Sequence, residues 1–250
     1  MSFEAKTVIV TGASSGIGLA TARAFKREGA NVLLVARSKE RLKIIAEEID
    51  AKYIGIDITD KDAAERIIGD TILEWNKIDV LVNAAGILET GNIMNTTIED
   101  FDKMMDVNLR SVFLLMQTAI PFLKESKGNI VNVSSVTGIR AFPGILSYCV
   151  SKAALDHLTR CSGLELAPFG VRVNAVNPGV VVTNLHRAGG MKEEQYSNFL
   201  EHSKSTHPLG RVGTPDEVAN LILFLASEKA LWITGETVSI DGGRFLTCLR

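Results

Sequence analysis

Three cysteines in 250 residues leave little for covalent scaffolding. Cys149, Cys161 and Cys248 are odd in number and widely spaced, which excludes a disulfide framework and a cysteine zinc site as organising devices. Reduced thiols in a cytoplasmic compartment are the expectation. Cys149 reads as helix packing, because no histidine stands close in sequence to activate it. Long apolar runs are also missing. None approaches the ~18–20 residues that span a bilayer, and the longest, residues 221–226, reads as the buried face of a helix. Residues 1–6 lack a basic start followed by an apolar core, so no signal peptide is expected. Charge of one sign is missing too. The 27 Lys and Arg against 29 Asp and Glu leave a net charge of −2, which gives no electrostatic purchase on nucleic acid or an anionic membrane. Of the four histidines, His186, His202 and His207 fall at irregular spacing in one polar stretch and make no metal set. With no repeat, low-complexity tract or Pro/Gly/Ser linker, a single domain over 1–250 is expected.

What is present is alternation. Short β-branched runs at 7–10, 32–35, 53–56, 80–82, 130–133, 171–176 and 237–240 read as strands, and continuous apolar runs suit strands covered on both faces. Between them, 17–28, 39–49, 63–75, 98–123, 148–166 and 216–226 read as helices. Strand–helix alternation predicts right-handed crossovers and an α/β fold, a doubly wound parallel sheet of seven strands with helices on both faces. Thr214-Pro215-Asp216-Glu217 reads as a helix start. Residues 184–210 break the rhythm; they are polar, contain Gly189-Gly190 and read as an irregular substrate lid.

The first strand runs into Thr11-Gly12-Ala13-Ser14-Ser15-Gly16-Ile17-Gly18. A tight turn here would present backbone N–H groups and a helix N-terminus to a pyrophosphate, while Gly18 allows close helix–sheet packing. The end of the second strand discriminates between nucleotides, since an acid there binds a ribose 2′-hydroxyl and an Arg receives a 2′-phosphate. The chain has Ala36-Arg37-Ser38 and no acid, so NADP(H) is the preferred cofactor and NAD(H) the alternative. Ser15 stands where a second basic contact is sometimes found.

The third feature is Tyr148-Cys149-Val150-Ser151-Lys152, with Ser135 13 residues before the tyrosine. Residues four apart share a helix face. A cation beside a phenol favours the phenolate, which would bring a group that normally titrates near ~10 within reach of acid–base work. A serine hydroxyl nearby could hold a carbonyl or alcohol oxygen against it.

These motifs stand in one order: Thr11-Gly12-x-x-x-Gly16-x-Gly18, Asp57, Asn83-Ala84-Ala85-Gly86, Asn108, Ser135, Tyr148-x-x-x-Lys152, Asn177-Pro178-Gly179 and Thr183. From Lys6 to about Gly243 the chain resembles the compact single-domain branch of the short-chain dehydrogenase/reductase family, its 3-oxoacyl-(acyl-carrier-protein) reductase-like members in particular. The resemblance implies a Rossmann-type fold and hydride transfer between nicotinamide and a carbonyl or secondary alcohol. It implies Tyr148 as general acid/base and Ser135 as the group that orients the substrate oxygen. Lys152 would hold the nicotinamide ribose and lower the Tyr148 pKa, and Asn108 would anchor a proton-relay water. Gly12, Ser14, Ser15, Gly16, Ile17, Gly18, Arg37, Ser38, Asp57, Ile58, Asn83, Ala84, Gly86, Pro178, Gly179, Val181 and Thr183, with Tyr148 and Lys152, would line the cofactor groove. Ala84 replaces an asparagine frequent in the family at a turn that mainly stabilises the sheet. Phe142, Ile145, Leu185 and His186 would face a hydrophobic substrate, with Arg187 and Lys192 near a polar handle. A homotetramer, or a homodimer, is implied; separately, the apolar residues of the tail 244–250 read as a surface that packs on a neighbour. An NAD-dependent alcohol or steroid dehydrogenase of the same family, a non-catalytic dinucleotide sensor, and an epimerase or dehydratase are the alternatives.

Overall fold

The computed structural model of the chain describes residues 2–247, so Cys248 and the last part of the expected tail contact lie outside the described residues. Seven parallel strands form one sheet: β1 (Thr7–Thr11), β2 (Asn31–Ala36), β3 (Lys52–Gly55), β4 (Val80–Asn83), β5 (Asn129–Val133), β6 (Arg172–Pro178) and β7 (Thr237–Ile240). Their order is β3-β2-β1-β4-β5-β6-β7, so the direction of winding reverses between β1 and β4. A crevice at the carboxyl ends of the strands is the consequence of that reversal.

The alternating strand faces build two cores. Val8, Val10, Leu34, Val82 and Val131 point to one side, where they meet α1 (Gly16–Arg27), α2 (Lys39–Ile49) and α10 (Pro215–Ala226). Ile9, Leu33, Leu81, Ile130 and Val173 point to the other, against α3 (Ala63–Trp75), α5 (Ser111–Ser126) and α7 (Leu146–Leu166). Thr214 and Glu217 cap α10 reciprocally, as the sequence predicts.

Two segments differ from the sequence reading. The helix expected at 98–123 is broken into α4 (Ile98–Met105) and α5 by a π-turn over Asp106–Arg110. The extra residue in that turn rotates Asn108 into the interior, and π-turns of this kind recur at functional sites. The stretch 184–210 is not irregular. It contains α8 (Leu185–Ala188) and α9 (Glu193–Thr206), and the latter is anchored through buried Tyr196 and Ser203. A short helix α6 (Val136–Ile139) follows β5.

Candidate active site

Four polar side chains from three segments, the π-turn, the start of α6 and α7 with two, meet beyond the ends of β4 and β5. Asn108 is 0% exposed, Lys152 4%, Tyr148 6% and Ser135 7%. Ser135 caps α6, its oxygen accepting from the Thr137 N–H at 3.1 Å, and a hydrogen bond joins its hydroxyl to that of Tyr148. One helical turn past Tyr148, the Lys152 ammonium donates to the Val133 carbonyl at 2.9 Å and lies 5.7 Å from the Tyr148 ring centroid. Asn108 is held on three sides: its oxygen accepts from Ile87 N–H at 2.9 Å, and its amide donates to the Ile87 carbonyl at 2.9 Å and to Ser151 Oγ at 3.1 Å. Gly86 lies between Asn108 and Lys152. A Cβ on it would sit 3.2 Å from Asn108 Oδ1 and 3.6 Å from Lys152 Nζ.

Burial sets the electrostatics of this pair in the polypeptide itself. Burial pushes the phenol up to about 12, against the Ser135 hydrogen bond, and pushes the Lys152 ammonium down to about 8. The physical reason is that both groups are desolvated, and the ammonium is directed to a main-chain carbonyl.

The glycine turn closes as its spacing requires. Gly12 (φ +67°) and Gly16 (φ +53°) occupy left-handed backbone, and a Cβ on Gly18 would lie 2.4 Å from the Gly12 carbonyl oxygen. Thr11 ties this turn to Asn83–Gly86, its hydroxyl accepting from Ala84 N–H at 3.0 Å and Ala85 N–H at 3.1 Å. Gly16 faces Thr183, where a Cβ would meet the threonine methyl at 3.1 Å. Bare backbone, a helix N-terminus and a threonine thus form a cradle that fits a dinucleotide pyrophosphate. Ser14, Ser15, Ile17 and Ala84 belong to the same pair of turns. At the far end Arg37, 76% exposed at its side chain, stands 4.0 Å from Asp57. Burial raises the Asp57 pKa, but the Thr59 N–H and hydroxyl and then Arg37 carry it below the usual value. Ser38 caps α2, and Ile58 packs on the core beneath. The Asn83 side chain is turned inward, donating to Asn132 at 2.8 Å. Pro178 ends β6, Gly179 backs onto His207 and Asp241, and Val181 bridges to Gly213.

Of the residues expected at the substrate, Ile145 and Leu185 pack on Tyr148, in a cluster with Ile87, Leu88 and Met104. Phe142 is not among them; it lies between the guanidinium groups of Arg140 and Arg244, at 5.7 and 5.0 Å. His186 turns to Phe199, ring centroids 4.6 Å apart, and burial lowers its pKa. Arg187 is no free handle, because it forms a two-pronged pair with Glu193 at 2.6 and 2.7 Å and stacks on Tyr196. Leu88 and Met104 escape sequence reasoning. Only the placement of Met104 one turn before Asn108 hints at a shared face. Among the described residues no group of three or more His, Cys, Asp or Glu could hold a metal, and no helix is long and apolar enough to cross a membrane.

Known proteins resemble the chain over nearly its whole length. The family model described as Enoyl-(Acyl carrier protein) reductase matches residues 12–244. A 3-oxoacyl-(acyl-carrier-protein) reductase from Thermotoga maritima is 40% identical over 250 residues, covering 97% of this chain and 99% of its own. Meso-2,3-butanediol dehydrogenase from Serratia marcescens is 37% identical, with 97% and 96% covered. A cofactor-bound short-chain dehydrogenase/reductase of unknown function from Caenorhabditis elegans superposes with a TM-score of 0.93 at 40% identity, over 98% of this chain and 97% of that one. The chain therefore belongs to the short-chain dehydrogenase/reductase family, and is an oxidoreductase that acts on carbonyl or alcohol groups with a nicotinamide cofactor.

Proposed function

We propose that the protein is an NADP(H)-dependent carbonyl reductase with Tyr148 as its proton donor. The observation that carries this reading is the hydroxyl pair Ser135–Tyr148, buried beside the Lys152 ammonium and flanked by the apolar wall of Leu88, Met104, Ile145 and Leu185. Tyr148 is protonated at neutral pH, as a donor to a carbonyl oxygen must be, and the Lys152 ammonium 5.7 Å from its ring would stabilise the phenolate that the transfer leaves, against the burial that disfavours it. Ser135 holds that oxygen in line. Lys152 and Asn108 lie behind Tyr148, the ammonium positioned for the ribose hydroxyls and Asn108 for a relay of protons towards Lys152. The nicotinamide, when bound, supplies the hydride. Gly12, Gly16, Gly18 and Thr183 would hold its pyrophosphate, and Arg37 with Ser38 a 2′-phosphate.

The apolar wall favours a hydrophobic ketone. The 3-oxoacyl thioesters named for the Thermotoga relative are the first class to try. Turnover of NADPH with an acetoacetyl thioester, measured for the wild type beside Tyr148→Phe, tests the reading. A fall of at least ~10²-fold in the variant, with the cofactor still bound, is expected. Equal rates would remove Tyr148 from the reaction. One observation favours a second reading, an NAD-dependent alcohol dehydrogenase: Asp57 already engages Arg37 and would compete with a phosphate. A homotetramer or homodimer in the cytoplasm completes the proposal. Unpaired Cys149 and Cys161 support the compartment.

A further inference from the structure

The face of α7 that carries Tyr148 and Lys152 continues one turn further to Asp156, a carboxylate only 1% exposed that the reaction as described does not use. Its surroundings are built from three other segments. Asn177 of β6 donates to Asp156 Oδ2 at 2.8 Å and, with the same amide nitrogen, to the Ser135 carbonyl at 2.9 Å. Ser134, whose hydroxyl donates to the Lys152 carbonyl at 3.2 Å, stands beside the carboxylate. Gly138 of α6 closes over it, and a Cβ there would come within 2.5 Å of Oδ2. The other oxygen, Oδ1, is buried with no hydrogen-bond partner.

We propose that Asp156 is a positioning residue of the catalytic site, fixing the Ser135 main chain through Asn177 and facing Lys152 from the next turn of the same helix face. The inference rests on the carbonyl-reductase reading for its consequence, but not for its test. The charged groups facing Asp156 are Lys152 and Arg160, both from α7; β5, β6 and α6 present only neutral groups, Ser134, Asn177 and Gly138. Arg160 is at the surface and donates to Thr237. Lys152 faces Tyr148, Asn108 and the Val133 carbonyl, and Asp156 is the one charge that works against the loss of its proton by burial. Burial raises the Asp156 pKa, and the Ser134 and Asn177 hydrogen bonds, then Arg160 and Lys152, oppose that rise. Without the carboxylate, the ammonium would be lost at a lower pH.

The test is the NADPH dissociation constant, measured by fluorescence between roughly pH 7 and 10, for the wild type, Asp156→Asn and Asp156→Ser, with thioester turnover in parallel. Affinity is expected to weaken as pH rises through the Lys152 titration. In Asp156→Asn the midpoint should fall by about one pH unit, and in Asp156→Ser, which also removes the charge, by a similar amount. A wild-type affinity that does not change with pH, or an Asp156→Asn midpoint that coincides with the wild type, overturns the proposal. If Asp156→Asn does not fold, Asp156→Ser decides by the same criterion. A shifted midpoint with no thioester turnover even in the wild type would leave the role of Asp156 standing and remove the proposed substrate class.

Discussion

Lys152 illustrates how much one buried cation must do. Its ammonium fills the space between the Val133 carbonyl and the Gly86 turn, so Lys152→Ala is expected to weaken NADPH binding and lower turnover together. Titration calorimetry and steady-state rates check this, and a variant with wild-type values for both would take Lys152 out of the site. Gly138 predicts a purely steric effect. Gly138→Ala places a methyl 2.5 Å from the Asp156 carboxylate and 2.9 Å from the Lys152 carbonyl, so a loss of ~1–3 kcal/mol in urea unfolding is expected, with turnover reduced. At this scale the sequence exposes side chains whose spacing is itself the signal. Tyr148 and Lys152 are four apart, and helical geometry alone brings them to one face. Asp156 continues the same stripe but carries no mark of burial, because which face of α7 turns inward is decided by α4, α6 and β6, distant in sequence. The same holds for Leu88 and Met104. The burial that raises the Tyr148 pKa is hidden for a related reason: charge proximity is legible from spacing, whereas desolvation requires the assembled surroundings.

Elements position these residues, and their ends matter most. Arg37 follows the end of β2, beside Asp57 beyond the end of β3. Arg37→Asp is expected to shift the ratio of NADPH to NADH catalytic efficiency towards NADH. An unchanged ratio would remove Arg37 from the nucleotide site. At the end of α9, His207 joins the lid to the segment after β6: its Nδ1 pairs with the Ser203 carbonyl at 2.6 Å, and its Nε2 accepts from the Val180 N–H at 3.1 Å. The ring must be neutral to do both. Burial lowers its pKa, with Arg244 adding to the effect and Ser203 and Asp241 opposing it. A histidine lowered in the folded state contributes stability that is whole above its unfolded pKa, about 6.5. That contribution is lost as pH falls through the folded value, because the unfolded chain then binds more protons. The melting temperature should therefore decline on acidification below about pH 6.5, and His207→Gln should flatten the decline. Equal slopes in the two proteins would exclude His207 as the source. The strands and most helices were legible from hydrophobic alternation, but α9 was not. It buries little beyond Tyr196 and Ser203, so its sequence reads as polar loop, and Gly189-Gly190 reinforces that reading. The π-turn at Asn108 was hidden because one inserted residue leaves the helical periodicity on either side intact.

Across the whole molecule, one pair of exposed apolar residues stands near a sheet edge. Leu231 is 68% and Trp232 100% exposed, just ahead of β7, the half-buried strand at one edge of the sheet. An unpaired edge with apolar residues beside it favours association with another chain. If the proposed oligomer uses this edge, Trp232→Glu lowers the molar mass measured by light scattering; an unaltered mass would exclude this edge as a subunit contact. The doubly wound architecture was legible as a whole because it follows from strand–helix alternation and handedness, whereas the apolar edge is a property of the assembled surface. The core also joins distant parts of the chain. Ala20 and Ala24 of α1 share one cluster with Val218, Ile222 and Leu223 of α10. A chain emerging from the ribosome therefore carries its nucleotide turn and first four strands with α1 exposed on the side that α10 covers until almost all of it has been translated. Products cut short before residue 215 would keep every catalytic residue named above and still leave that side of α1 open to proteases. The packing of the first helix against the tenth thus completes this core only when the chain is nearly whole.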